Sequence, residues 1–133
     1  WFLETICWYV CMLNECTYSY ETHWRSAIHL IDNDEKAEAI EVAFKNKKPE
    51  LVFKGKSLAI LRYAEKLTTR PGKIHHRDLV DMQEAGVDDA QILEANQVIA
   101  YFNYLNRTMA GLGVTHKGEK SPLFEAPAEV PEA

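Results

Sequence analysis

Residues 1–23 read Trp1-Phe2-Leu3-Glu4-Thr5-Ile6-Cys7-Trp8-Tyr9-Val10-Cys11-Met12-Leu13-Asn14-Glu15-Cys16-Thr17-Tyr18-Ser19-Tyr20-Glu21-Thr22-His23. The run from Trp1 to Leu13 is apolar except at Glu4 and Thr5, and the polar pair Asn14-Glu15 closes it. It lacks the basic start of a signal peptide and carries Glu4. It also falls short of the roughly 20 residues that span a bilayer, so a buried helix is expected over Phe2 to Leu13. A second period then begins. From about Glu15 to Ile31, Cys16, Tyr20, His23, Ala27 and Leu30 share one helical stripe, with Trp24, Ile28 and Ile31 beside it.

Outward from this pair the chain keeps a three-to-four residue repeat and never alternates convincingly at two, which predicts an all-α fold. The run Asp32-Asn33-Asp34-Glu35 offers an N-cap to a third helix that buries Ala37, Ile40 and Phe44; Lys45 to Lys48 and Pro49 end it. A fourth helix spans Ser57 to Leu67, with Leu58, Leu61, Ala64 and Leu67 inward and Arg62 and Lys66 outward. A short fifth runs from His76 to Ala85, its start His75-x-x-Asp78 spaced as a capping box, and Gly86 stops it. A sixth opens on the box Asp88-x-x-Gln91, repeats through Ile92, Val98, Phe102, Leu105, Met109 and Leu112, and closes at Gly111-Leu112-Gly113. Residues 1–113 are expected to form the helical core. Residues 114–133, with three Pro, one Gly and four Glu and no apolar period, are expected to form an extended or disordered arm.

At 133 residues and 47% hydrophobic the chain has the size and composition of one globular domain. Fifteen Lys and Arg against 20 Asp and Glu leave a formal charge of −5, which offers no field for phosphates, so no nucleic-acid or membrane partner is expected. The three Cys fall at 7, 11 and 16. Such clustering staples no distant loops and points to a reducing compartment, the cytoplasm. Cys7 and Cys11, four apart, read as small buried apolar residues.

The chemistry concentrates on the second helix. Cys16, Ser19 and His23 fall at i, i+3 and i+7 and project from one side, with Cys16 near the positive end of the helix. In one unbroken helix Glu4 and His23 would lie about 28 Å apart. A reversal near Leu13-Asn14-Glu15 instead folds the two helices into a hairpin, where the carboxylate reaches the imidazole and orients it as a proton acceptor.

Glu, eleven residues, Cys-x-x-Cys, three residues, His is the signature of the alkylhydroperoxidase D-like (AhpD-like) group in the carboxymuconolactone decarboxylase superfamily. Glu4, Cys16, Ser19 and His23 resemble it. Downstream, Leu61-Arg-Tyr-Ala-Glu-Lys-Leu67, Tyr101-Phe-Asn-Tyr-Leu-Asn-Arg107 and Gly111-Leu-Gly-Val114 look like its uncharacterised peroxidase-related branch, so the resemblance covers about residues 4–115. It implies an all-α homo-oligomer with a thiol-dependent peroxidase site, a hydroperoxide substrate, an external dithiol reductant and no cofactor or metal. Family members usually carry further helices ahead of the Glu, so residues 1–113 are expected to be a core lacking them. Carried over by position, Cys16 is the resolving thiol, His23 the base and Glu4 its partner, while Ser19 stands where the attacking thiol belongs.

A hydroxyl forms neither sulfenic acid nor disulfide, so the two-thiol cycle cannot run as written. Three explanations stay open: an introduced Ser19, a natural loss of activity, or a lone Cys16 resolved by an outside thiol. Cys11 is not expected to replace the missing thiol, its helix lying before the turn and its sulfur facing another way. Two other functions compete: acid/base chemistry by His23 and Glu4, as in the decarboxylase branch, and a non-catalytic helical scaffold. His75-His76 are assigned to capping and solvent rather than metal, and His29 and His116 have no partner pattern. Asn103, Asn106 and Arg107 are expected at a subunit contact or at the mouth of the site, and Trp1, Phe2 and Trp8 against a partner or further chain.

Overall fold

The structure is a computed structural model that describes residues 1–114; beyond Val114, the expected arm lies outside the described residues. Among the described residues the protein is all-α, with six helices and no strand. These are α1 (Phe2–Leu13), α2 (Thr17–Ile31), α3 (Asp34–Lys45), α4 (Gly55–Thr69), α5 (His76–Glu84) and α6 (Asp89–Gly111). Short 3-10 turns at Pro49–Leu51 and Pro71–Lys73 flank α4.

α1 is the centre of the fold. Every residue from Thr5 to Cys11 is buried, which explains why its sequence shows no polar stripe. Trp8 and Tyr9 both pack on Phe44 of α3, with ring centroids 5.1 and 4.4 Å away, and Phe44 stacks on Phe53 at 5.9 Å. The Tyr9 hydroxyl, carried into the interior by its ring, donates to Glu65 of α4 at 2.9 Å. Burial and the neighbouring Glu65 carboxylate push that phenol far above its ordinary value. Ile60, Leu61 and Ala64 of α4 and Ala95 and Ile99 of α6 complete the core. Trp8 is thus wholly inside its own chain, contrary to the expectation that it awaits a partner. Trp1 stacks on Phe53 yet stays 45% exposed.

Four helices, α1, α3, α5 and α6, end in one geometry. The residue after the C-cap takes a left-handed backbone, and paired reverse hydrogen bonds close the last turn. Gly86 (φ 89°) and Gly113 (φ 67°) supply it in α5 and α6, whereas Glu15 (φ 54°) and Lys47 (φ 54°) adopt it in α1 and α3 against the usual glycine preference. In α5 the motif brings Met82 and Val87 together by the bond Val87 N–H to Met82 C=O (3.0 Å), and both are buried.

The capping signals materialise. Asn33 Oδ1 accepts from Lys36 N–H at 2.9 Å, and Asp88 and Gln91 exchange bonds at 2.8 and 3.1 Å. Two stripe residues are misplaced: Leu30 and Leu112 are exposed, while Ala95, Ile99 and Asn106 take the inward positions on α6. Only Asn106 among these is polar, and its amide is buried by hydrogen bonds to the α1 end rather than by apolar packing.

Asp78 accepts from the His75 backbone N–H (2.9 Å) and from Lys66 Nζ (2.6 Å), tying α5 to α4. The Lys66 ammonium and that N–H hold its carboxyl below the ordinary 3.8, so its contribution is present above that value and is lost as pH falls through the depressed one. Asp78→Asn is expected to cost about 1–2 kcal/mol at pH 7. In urea titrations the difference from the parent should shrink below about pH 4.

Candidate functional site

The reversal between α1 and α2 places the site. Asn14 caps α1, Glu15 turns left-handed, and Cys16 caps α2 at its N-terminus, one position before the first helical turn in which the sequence places it. Two bonds close the turn, Glu15 N–H to Met12 C=O and Cys16 N–H to Cys11 C=O, each 3.0 Å. The helices then run back along one another, and His23 Nδ1 meets Glu4 Oε2 at 2.8 Å. The expected pair forms directly, without a bridging water. His23 keeps 18% exposure and Glu4 33%, so both face a partly open surface. Phe102 of α6 presses edge-on to the imidazole at 4.6 Å and fixes the ring from the other side.

Ser19 lies one turn before His23 on the same helix and is buried. Its Oγ donates to Met109 Sδ at 3.3 Å and sits within hydrogen-bond reach of the Cys11 thiol. Asn106 Nδ2 donates to the same sulfur at 3.4 Å. The Cys11 thiol therefore faces α2 and the site, correcting the expectation that it points elsewhere. A cavity of about 150 Å³ opens here, lined by Cys11, Met12, Glu15, Cys16, Thr17 and Tyr20. Burial pushes the Cys7 and Cys11 thiols up to about 12, the Glu4 carboxylate adding to the effect at Cys7. Cys7 is a core residue, as expected.

A buried amide network anchors the turn. Asn14 Nδ2 donates to Asn103 Oδ1 (3.0 Å) and Asn106 Oδ1 (3.1 Å), and Asn103 Nδ2 donates to Thr68 Oγ1 of α4 (2.9 Å). Arg107 binds Asn103 and the Thr68 carbonyl at the same corner. Of the two places expected for these asparagines, the structure puts them beside the site, bonded within the chain, with Asn106 only 1% exposed. Their signal was the spacing of Phe102, Asn106 and Met109, which puts all three on the α6 face toward the site.

A larger cavity, about 640 Å³, lies elsewhere, between α4 and α5, beside Arg62, Tyr63, Lys66 and Asp78. None of Glu4, Cys16, Ser19 or His23 lines it. Among the described residues no three His, Cys, Asp or Glu converge as a metal-ligand group, and His75 and His76 are exposed. No helix there is long and apolar enough to cross a membrane.

No family model matches the chain, and no curated protein does. Its fold is shared with a solved structure, an uncharacterized peroxidase-related protein from Silicibacter sp. TM1040, at a TM-score of 0.71 and 23% identity. The alignment covers 83% of this chain and 56% of that one, so the chain spans about half the length of that protein.

Two outcomes are expected. Native protein treated with iodoacetamide at pH 7.5 should keep Cys7 and Cys11 unmodified by peptide mass spectrometry until denaturant is added, since burial suppresses both thiolates. Asn106→Leu should lower stability by about 1–3 kcal/mol in urea titrations, because it removes one of the two acceptors of the Asn14 amide and the buried bond to the Cys11 sulfur.

Proposed function

We propose that this chain is a thiol-dependent peroxidase-related protein of the AhpD-like type, in which Ser19 replaces the attacking thiol and depresses hydroperoxide turnover. The observation that carries the reading is the 2.8 Å contact between His23 and Glu4, one helical turn beyond Ser19. A carboxylate-oriented imidazole beside the position of a nucleophile is the arrangement that takes a proton from it. The shared fold with a peroxidase-related protein supports the same class.

In this reading a hydroperoxide is the substrate, an external dithiol the reductant, and the catalytic unit is the helical core of residues 1–113, working as a cytoplasmic homo-oligomer without metal or cofactor. With a thiol at position 19, His23 accepts its proton while Glu4 holds the ring. The sulfur then attacks the hydroperoxide, and Cys16 three residues earlier closes the disulfide.

Ser19→Cys is expected to raise dithiol-dependent consumption of hydrogen peroxide or an alkyl hydroperoxide at least about tenfold and to yield a 16–19 disulfide. Adding His23→Ala should then cost about 100-fold, the usual scale for loss of a general base. A Ser19→Cys protein that neither consumes peroxide nor forms this disulfide overturns the reading. Activity that survives Cys16→Ala but not His23→Ala would point instead to acid/base chemistry.

A further inference from the structure

We propose that Cys11 and Cys16 form a redox dithiol pair across the α1–α2 turn, with Cys16 attacking a hydroperoxide and Cys11 resolving it in place of the thiol absent at position 19. This deepens the peroxidase reading and rests on it for the oxidant.

The argument begins with the turn. In the helix-ending motif that closes α1, the residue three before the cap and the residue two after it are joined by a backbone bond, and their side chains meet. The same motif in α5 joins Met82 and Val87, an ordinary apolar contact, and in α6 Met109 and Val114. In α1 the two positions are Cys11 and Cys16, joined by the 3.0 Å bond from Cys16 N–H to Cys11 C=O. A disulfide requires Cα atoms about 4.4–6.8 Å apart, which limits it to residues whose backbones lie together, as a direct backbone hydrogen bond makes these two do. Each sulfur belongs to a buried free cysteine, and both line the same 150 Å³ cavity.

The surroundings divide the roles. Cys16 caps a helix N-terminus, where the backbone dipole favours an attacking anion, whereas Cys11 is shut inside at 0% exposure. Asn106 and Ser19, both within hydrogen-bond reach of the Cys11 sulfur, stabilise the negative charge that develops there as it reacts. Ser19 then assists a neighbouring thiol instead of standing as a dead nucleophile. A thiol too buried to meet a reagent from solvent still meets a sulfur held beside it, because the encounter is intramolecular.

The cycle balances. The Cys16 thiolate attacks the terminal oxygen of a hydroperoxide and the O–O bond breaks. The alcohol leaves with the proton from the thiol, and Cys16 becomes a sulfenic acid. The Cys11 sulfur attacks the Cys16 sulfur, the S–O bond breaks, and water leaves with the Cys11 proton. An external dithiol returns two electrons by exchange and restores both thiols.

The test uses the unmodified protein in two arms, hydrogen peroxide and the dithiol oxidant diamide, each followed by acid quench, alkylation and peptide mass spectrometry, with dimedone present in parallel to trap sulfenic acid. An intramolecular Cys11–Cys16 disulfide in both arms, reversed by a dithiol, is the expected result. Cys11→Ser should then lose it and raise dimedone labelling of Cys16 several-fold. A disulfide with diamide but unreacted thiols after peroxide supports the dithiol pair and overturns Cys16 as the thiol that attacks a hydroperoxide, while the peroxidase reading itself stands or falls on the Ser19→Cys protein. Dimedone-labelled Cys16 in the unmodified protein with no Cys11–Cys16 disulfide in either arm overturns the pair and leaves the peroxidase reading standing. Two unreacted thiols in both arms overturn the pair.

Discussion

One backbone reversal carries the rest of the structure. Glu15 adopts a left-handed conformation that a side chain makes costly, and two hydrogen bonds of 3.0 Å hold it there. If the chain continued straight, Glu4 and His23 would separate by about 28 Å, and Cys16 would not lie across the turn from Cys11. The strain is offset by Asn14, whose amide is gripped from α6, and by the packing of α1 against four other helices. Fold and candidate site therefore share one support: whatever loosens the turn disperses the His23–Glu4 pair and uncovers the core together.

The site separates two kinds of environment within a few residues. The imidazole and its carboxylate keep a window to solvent, where proton exchange is fast. The sulfur and hydroxyl groups behind them sit among Met109, Asn106 and the α1 backbone, where water is excluded. The antiparallel helix pair sets these surroundings side by side by placing His23 toward the rim and Ser19 toward the interior.

Much of this was readable in the sequence because the relevant signals are local or periodic. The unbroken apolar run of α1 meant burial on all sides, Asn14-Glu15 meant a break, and equal spacing of Glu4 and His23 from that break meant contact. The capping boxes of α5 and α6 were visible for the same reason. What failed had one cause, namely that side-chain direction at a turn depends on φ angles and not on spacing. The orientation of Cys11 follows from the left-handed Glu15, a conformation that its identity does not announce. The inward placing of Asn103 and Asn106 depends on which amide in the turn needs partners, and Asn14 lies about ninety residues away in sequence. Leu30 and Leu112 show the converse error, since an apolar residue at the right period stays exposed where no element arrives to cover it.

The central position of α1 also bears on how the protein is made. α1 leaves the ribosome well before α6, the helix that seals its far side. At the usual pace of synthesis, about 5–20 residues per second, the interval between them is about 5–20 s. Until α4 and then α6 arrive, α2 and α3 cover only part of Trp8, Tyr9 and Val10. The nascent chain thus carries an apolar segment that its own sequence cannot yet bury.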